Sequence, residues 1–254
     1  MIKQFTIGAD PEVALFDHAG PVSSERILGD KYDKYFRLEL DGGFNIHEDN
    51  VMLEYNIPPA HDKEQFISFH DRALAMIRER VPAVVNVSEI FEVEYPKSII
   101  ESENAQVFGC EGDFCIYPGY KCVGHIPSNK RFAGGHIHIG YPEENEKDSM
   151  SLIAWLDVLV GLNCVIEEPA NTRREYYGKA GTYRREPGFK VEYRTPSNYW
   201  IFTPEKRELM YDRVSQAVQK VNENAEIPAA IKKNIQQAIN TNNKVLAKRL
   251  LSWL

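Results

Sequence analysis

Four stretches of the chain combine residue types that do chemistry at spacings that place them together. The first is Asp10-Pro11-Glu12. In a strand, residues two apart point to the same face, so these two carboxylates would lie side by side. Paired carboxylates repel each other unless both face water or a cation sits between them. Alone, the triplet also reads as a strand-start turn with two solvated acids. The second is the run Glu48-Asp49-Asn50-Val51-Met52-Leu53-Glu54-Tyr55-Asn56. Glu54 lies inside an otherwise apolar strand-like segment, where an acid needs a partner or an exposed edge.

The third stretch is Gly134-Gly135-His136-Ile137-His138-Ile139-Gly140. The two histidines share one strand face and the two isoleucines the other. Neutral imidazole is a good ligand for divalent metals, and the glycines allow a ligand or backbone to approach closely. The fourth is the densest, running from Arg173 to Asn198. Five arginines (173, 174, 184, 185 and 194) and two lysines (179 and 190) surround a glycine-rich loop. Planar guanidinium pairs bidentately with phosphate oxygens, so this cluster suits a polyphosphate. Glu192 and Arg194 share a strand face there, with Val191 and Tyr193 opposite. Glu192 reads either as a salt-bridge partner or as a metal ligand beside the phosphates.

A fifth grouping, Cys110, Asp113, Cys115, Cys122 and His125, matches no standard zinc-finger spacing. Buried thiols are the expectation there, and Asp113 is a candidate to face the cleft. The chain has no G-x-S-x-G, no Walker A and no G-x-G-x-x-G sequence, and Cys164 sits in an apolar helix unsuited to a nucleophile.

These residues need elements to hold them. Residues 3–17 read as a strand broken at Asp10-Pro11, and 51–56 as a second strand. Residues 62–80 place Phe66, Phe69, Ala73 and Ile77 on one helical face. Residues 84–95 are rich in β-branched side chains and read as a strand. Further strands are expected within 107–117, over 134–140 and over 190–195, with a loop from Gly178 to Gly188. Residues 147–168 form a helix that is apolar nearly all round. Thr203 is a natural N-cap followed by Pro204 and Glu205, and Met210, Val214, Ala217 and Val221 recur at helical spacing. Two short helices follow Pro228 and Asn242. The expectation is an α+β body over residues 1–203, with C-terminal helices over 204–254 packed on the same domain.

Composition narrows the function class. The chain has 254 residues, 43% of them hydrophobic, enough for one large core. A formal net charge of −7 leaves no bulk basic footprint for nucleic acid. The N-terminus lacks an apolar secretory segment. The apolar stretch from Met150 to Ile166 is short for a membrane span and is interrupted by Asp157 and Asn163. The four cysteines show no C-x-x-C spacing. Cytoplasmic location with reduced thiols is therefore expected, without nucleic-acid or membrane partners.

The order of the four stretches is more specific than any one of them. Together they resemble the glutamine synthetase and glutamate–cysteine ligase superfamily. More narrowly, they resemble the phage-associated carboxylate–amine ligase type 2 family. The segments that carry the resemblance read GADPE, DNVMLEYNIPPA, GCEGDF, AGGHIHIG and RREYYGKAGTYRREPGFKVEYR. They span roughly residues 5–200, and the helical tail carries no recognisable signature.

The resemblance implies a glutamine synthetase-like catalytic domain, a curved antiparallel sheet backed by helices with the site on its concave face. It implies an ATP-dependent carbon–nitrogen ligase that works with Mg²⁺, or Mn²⁺, through an acyl phosphate. The substrates would be a small-molecule or peptide carboxylate and an amine, and the location the host cytoplasm for a phage-encoded chain. Asp10, His136 and Glu192 would hold one ion near the phosphates. Glu12 and Glu54 would hold a second nearer the substrate, Glu54 also counting among the catalytic groups. Arg173, Arg174, Lys179, His138 and Arg194 would face ATP. Arg194, with Arg184 or Arg185, would neutralise the transferred phosphoryl group.

There are departures. Glutamine synthetase has Glu where this chain has Asp10. It also has a further acid ahead of the strand glutamate, for which both Glu48 and Asp49 are candidates at altered spacing. Glu48, Asp49 and Asp113 are all candidates for the acid that keeps the amine deprotonated. The N-terminal β-grasp domain of glutamine synthetase has no counterpart here, so its subunit arrangement does not carry over. Competing readings are a guanidino-type phosphotransferase of the same fold, a non-catalytic nucleotide-binding relative, and a metal-dependent hydrolase built on His136 and His138.

Overall fold

In a computed structural model, described here for residues 2–29, 38–40, 42–101, 114–117, 129–142, 146–186 and 189–253, the chain is α+β with a sheet paired antiparallel throughout. Its strands are β1 (Thr6–Ala9), β2 (Glu12–Asp17), β3 (Gly20–Val22), β4 (Leu38–Leu40), β5 (Phe44–Asp49), β6 (Met52–Ala60), β7 (Asn86–Ser88), β8 (Glu92–Glu94), β9 (Phe114–Cys115), β10 (Lys130–Phe132), β11 (Ile137–Gly140), β12 (Thr182–Glu186) and β13 (Phe189–Tyr193). The main path runs β3-β2-β6-β1-β11-β13-β12-β9, with β5 also paired to β6. β8 and β10 form a separate two-stranded ribbon.

The break expected at Asp10-Pro11 is the hinge of this sheet. Proline has no N–H for the ladder, so β1 stops at Ala9 and β2 begins at Glu12. Both halves still run along β6: Ala9 pairs with Ile57, the Tyr55 amide donates to the Pro11 carbonyl (3.2 Å), and Glu12 pairs with Glu54. The ladder slips between Ile7 and Ala9, which bends the strand.

Helices cover one face. The Lys63–Arg80 helix begins on Asp62, whose side chain accepts from the Gln65 amide, and buries Phe66, Ala73, Leu74 and Ile77. The Glu146–Glu167 helix is long and apolar enough to cross a membrane by length and composition, yet 67% of its apolar window is buried in the molecule. It contains a π-helical turn, Asp157–Gly161. Thr203 caps the Pro204–Asn222 helix as expected, and the last two helices are Ala229–Asn240 and Lys244–Leu251. The main cluster of buried apolar side chains runs from Ile2 and Ile7 to Ala247 and Leu250, so the C-terminal helices share the core of the sheet.

Two expectations need correction. Residues 84–95 do not form one strand: β7 joins β2 while β8 turns away to pair with β10. The stretch from Gly178 to Gly188 is not loop throughout, because Thr182–Glu186 is a strand between β13 and β9. Thr-Tyr-Arg-Arg-Glu has little apolar alternation; pairing with its neighbours, not its own propensity, makes it a strand.

Candidate active site

Strand alternation decides which side chains meet. On β5, Phe44, Ile46 and Glu48 are buried on the helix side, while Asn45, His47 and Asp49 point the other way. On β13, Val191 and Tyr193 are buried and Tyr193 donates to Asp157 of the covering helix (2.7 Å). Glu192 therefore faces away from the helices. Two rows result. His47, Glu54 and Glu12 lie in register across β5, β6 and β2. Gly8, His138, Glu192 and Arg184 lie in register across β1, β11, β13 and β12.

The second row builds a mixed cluster. Asp10, at the hinge, brings Oδ1 to 3.1 Å from His138 Nε2 and 3.3 Å from His136 Nδ1. His136 Nδ1 is also 3.5 Å from Glu192 Oε1. Donor atoms of Asp10, His138 and Glu192 all lie within 4.8 Å of one another, as ligands of one ion would. Burial works against ionisation of Asp10, but the positive charge of His138 and His136 wins and holds its carboxyl well below the usual range. Burial and the neighbouring Arg194 push the His136 imidazole down. For His138 burial is outweighed by the Asp10 carboxylate, and its pKa is raised. Asp10 Oδ1 is buried within 3.3 Å of both imidazoles. A carboxylate oxygen facing two imidazoles and a second carboxylate is a fitting place for a divalent cation.

The first row builds an all-acid cluster. Donor atoms of Glu12, Asp49 and Glu54 lie within 4.8 Å of one another. Burial, then the charges of Asp49 and Glu54, push the Glu12 carboxyl up to about 8, against the Gly134 amide that donates to its Oε2 (2.8 Å). Burial also raises Glu54, whose Oε1 is 3.3 Å from His47 Nε2. Hard oxygen donors that repel in the absence of a cation suit Mg²⁺ or Mn²⁺. Strand parity separates Glu48 from Asp49: Asp49 faces the cluster, and Glu48 is 2% exposed on the opposite side.

Two glycines permit this packing. A Cβ on Gly134 would lie 2.3 Å from His136 Nε2, and Gly178, at φ +66°, would place one 1.8 Å from an Arg173 nitrogen.

The arginines divide into three kinds. Arg194 pairs with Glu192 and with the Tyr177 hydroxyl, and Arg184 is in register with Glu192 on the site side. Arg185 alternates to the other side, is exposed, and lies 3.3 Å from Glu146. Arg173 and Arg174, expected to bind phosphate, are instead internal struts. Arg173 donates to the carbonyls of Thr195 (2.7 Å) and Pro196 (3.0 Å). Arg174 donates to Glu168 and Asn242, both at 2.6 Å. A nucleotide would have to strip these buried partners, which costs several kcal/mol for a buried pair (~3–5). Half-buried Lys179 fixes the loop through its carbonyl, which accepts from the Thr182 (2.7 Å) and Thr195 (2.9 Å) hydroxyls.

Two further residues join the site without being expected from the sequence, His47 and Tyr177. Parity with Glu54 and Asp49 could have found His47. Nothing local marks Tyr177, whose hydroxyl meets His136 Nε2 at 2.7 Å. Cys110, Asp113, Cys122 and His125 lie outside the described residues; the thiols of Cys115 and Cys164 donate to the Ala180 carbonyl (3.5 Å) and the Tyr199 hydroxyl (3.7 Å).

The family model that matches the chain is that of the phage phiEco32-like COOH.NH2 ligase-type 2, over residues 120–254. A sheet bearing two carboxylate clusters and inward arginines thus belongs to a carboxylate–amine ligase class. The chain is a member of the phage phiEco32-like COOH.NH2 ligase-type 2 family. The match contains both histidines, Glu192 and the arginine loop, and it takes in the C-terminal helices, where the sequence shows no signature. Comparison with curated proteins finds no match.

Proposed function

We propose that this protein is an ATP- and Mg²⁺-dependent carboxylate–amine ligase with a glutamine synthetase-like catalytic sheet. The observation that carries the reading is the pair of carboxylate clusters on one sheet face, with Arg184 and Arg194 beside them. Asp10, Glu192 and the imidazoles of His136 and His138 would hold one ion; Glu12, Asp49 and Glu54 would hold another. Mn²⁺ would also fit the imidazole-bearing cluster. Bound there, such ions supply charge neutralisation for phosphoryl transfer.

The chain's own residues do the rest. Arg194 and Arg184 neutralise the phosphoryl group in flight, with Lys179 and His138 beside the phosphates. A substrate carboxylate oxygen attacks the γ-phosphorus and ADP leaves. The amine nitrogen then attacks the acyl carbon, the C–O bond to phosphate breaks, and the amine's proton leaves with the departing phosphate as hydrogen phosphate. The balance is ATP, carboxylate and amine to ADP, phosphate and amide. Glu48, turned into the core, is set aside as the base. We take residues 1–203 and 204–254 as one catalytic body acting in the host cytoplasm on small-molecule or peptide substrates, without nucleic acid or membrane.

Mass spectrometry of products from ATP, Mg²⁺ and pooled carboxylates and amines tests this. An amide formed with equimolar ADP and phosphate supports it. A phosphorylated acceptor without amide, or unconsumed ATP, overturns it.

A further inference from the structure

Tyr177 is absent from every role assigned above, yet its hydroxyl joins two of them. The residue is 3% exposed. Its oxygen lies 2.7 Å from His136 Nε2 and is also bonded to Arg194 Nη2. Guanidinium only donates, so the phenol oxygen accepts from Arg194. On its other side, His136 Nδ1 lies 3.3 Å from the Arg194 Nη1 donor and 3.3 Å from Asp10 Oδ1. Guanidinium cannot accept, so in its contact with Arg194 Nδ1 is the acceptor and carries no proton. The proton of neutral His136 then sits on Nε2 and is donated to Tyr177. The phenol ring is itself held in place: the Arg173 guanidinium stacks 4.9 Å from its centroid while donating to three backbone carbonyls.

We infer that Tyr177 is a positioning residue that fixes His136 as the Nε2–H tautomer, turning the Nδ1 lone pair toward Asp10 and Glu192, and that the same oxygen aims Arg194. The cation and the phosphoryl-neutralising arginine are thereby set by one phenol. This rests on the metal-site reading above. A partner on the distal nitrogen of a ligating histidine commonly changes metal affinity about 10–100-fold.

The test is Tyr177→Phe, which keeps the stacked ring and removes only the oxygen. Mn²⁺ binding is followed by electron paramagnetic resonance and the His136 tautomer by ¹⁵N imidazole NMR on the metal-free chain, with thermal unfolding as the fold control. The expected result is a Tm near that of the parent, Mn²⁺ affinity at one class of site reduced about tenfold, and a His136 signal moved away from pure Nε2–H. In the ATP assay, kcat falls more than KM for ATP rises. Unchanged affinity and an unchanged tautomer overturn the inference while leaving the metal reading intact. A parent chain that binds no Mn²⁺ overturns the metal reading instead, and a parent His136 already protonated on Nδ1 overturns the tautomer assignment by itself.

Discussion

The two carboxylate clusters lie on one sheet face and handle their charge in opposite ways. Asp10 and Glu192 are embedded among nitrogen groups, the imidazoles of His136 and His138 and the guanidinium of Arg194. Glu12, Asp49 and Glu54 have mainly each other and His47. The result is a carboxyl held far down at Asp10 and one pushed up to about 8 at Glu12. Both can receive a cation, but only the second needs one to ionise fully near neutral pH. One cluster is balanced by the chain's own charges; the other leaves its acids opposed to one another.

The largest expected effect breaks both at once. Glu192→Ala and Glu54→Ala should each abolish ATP turnover, by at least about a thousandfold, while circular dichroism shows an intact fold. Full activity in both variants would remove the metal-site assignment. Next, the two arginines of β12 should separate. Arg184→Ala is expected to cost about a hundredfold in kcat/KM; Arg185→Ala, its exposed neighbour facing Glu146, should stay within about twofold. Steady-state kinetics on the identified substrates reads the difference.

A Mn²⁺ titration sharpens the contrast between clusters. Asp49→Asn should weaken one class of site by about tenfold and leave the other unchanged, whereas Glu48→Gln should move neither. Equal effects of the two changes would contradict the strand parity. The smallest effect is on stability. The Glu12 carboxyl keeps its proton in the fold up to about 8 against an ordinary 4.5. Its contribution is present below pH 4.5 and is lost as pH climbs toward 8. Metal-free protein should therefore melt lower at pH 8 than at pH 5.5, and Glu12→Gln should raise the pH 8 Tm by about 3 °C. Asp10 has the reverse sign: its contribution is lost only as pH falls through its depressed value. A metal-free Tm flat from pH 5.5 to 8 would contradict the charge assigned to Glu12.

Much of this was legible in the sequence. Period-two alternation is a strong local signal, and it placed Glu54, His138 and Glu192 on strands with their faces known. The Thr203 cap and the Asp10-Pro11 break were equally local. Register was not legible. Nothing near Asp49 says that it opposes Met52 across a hairpin, which is what carries it to Glu12 and leaves Glu48 in the core. The arginines failed for a related reason. Sequence shows a guanidinium but not its partner, and Arg173 and Arg174 find theirs in carbonyls of 194–196 and in Glu168, brought near only by the fold.

The loop beneath the arginines depends on residues made much later. The Ala180 amide donates to Asn240 Oδ1 (2.8 Å), 60 residues further on, and Arg174 shares Asn242 with the turn that follows. Translation at about 5–20 residues per second separates the two by seconds. During that interval the nascent sheet carries its acids but lacks the side-chain anchors that hold this loop. The loop is thus timed by the chain's own synthesis: it is completed only when the C-terminal helices emerge and dock.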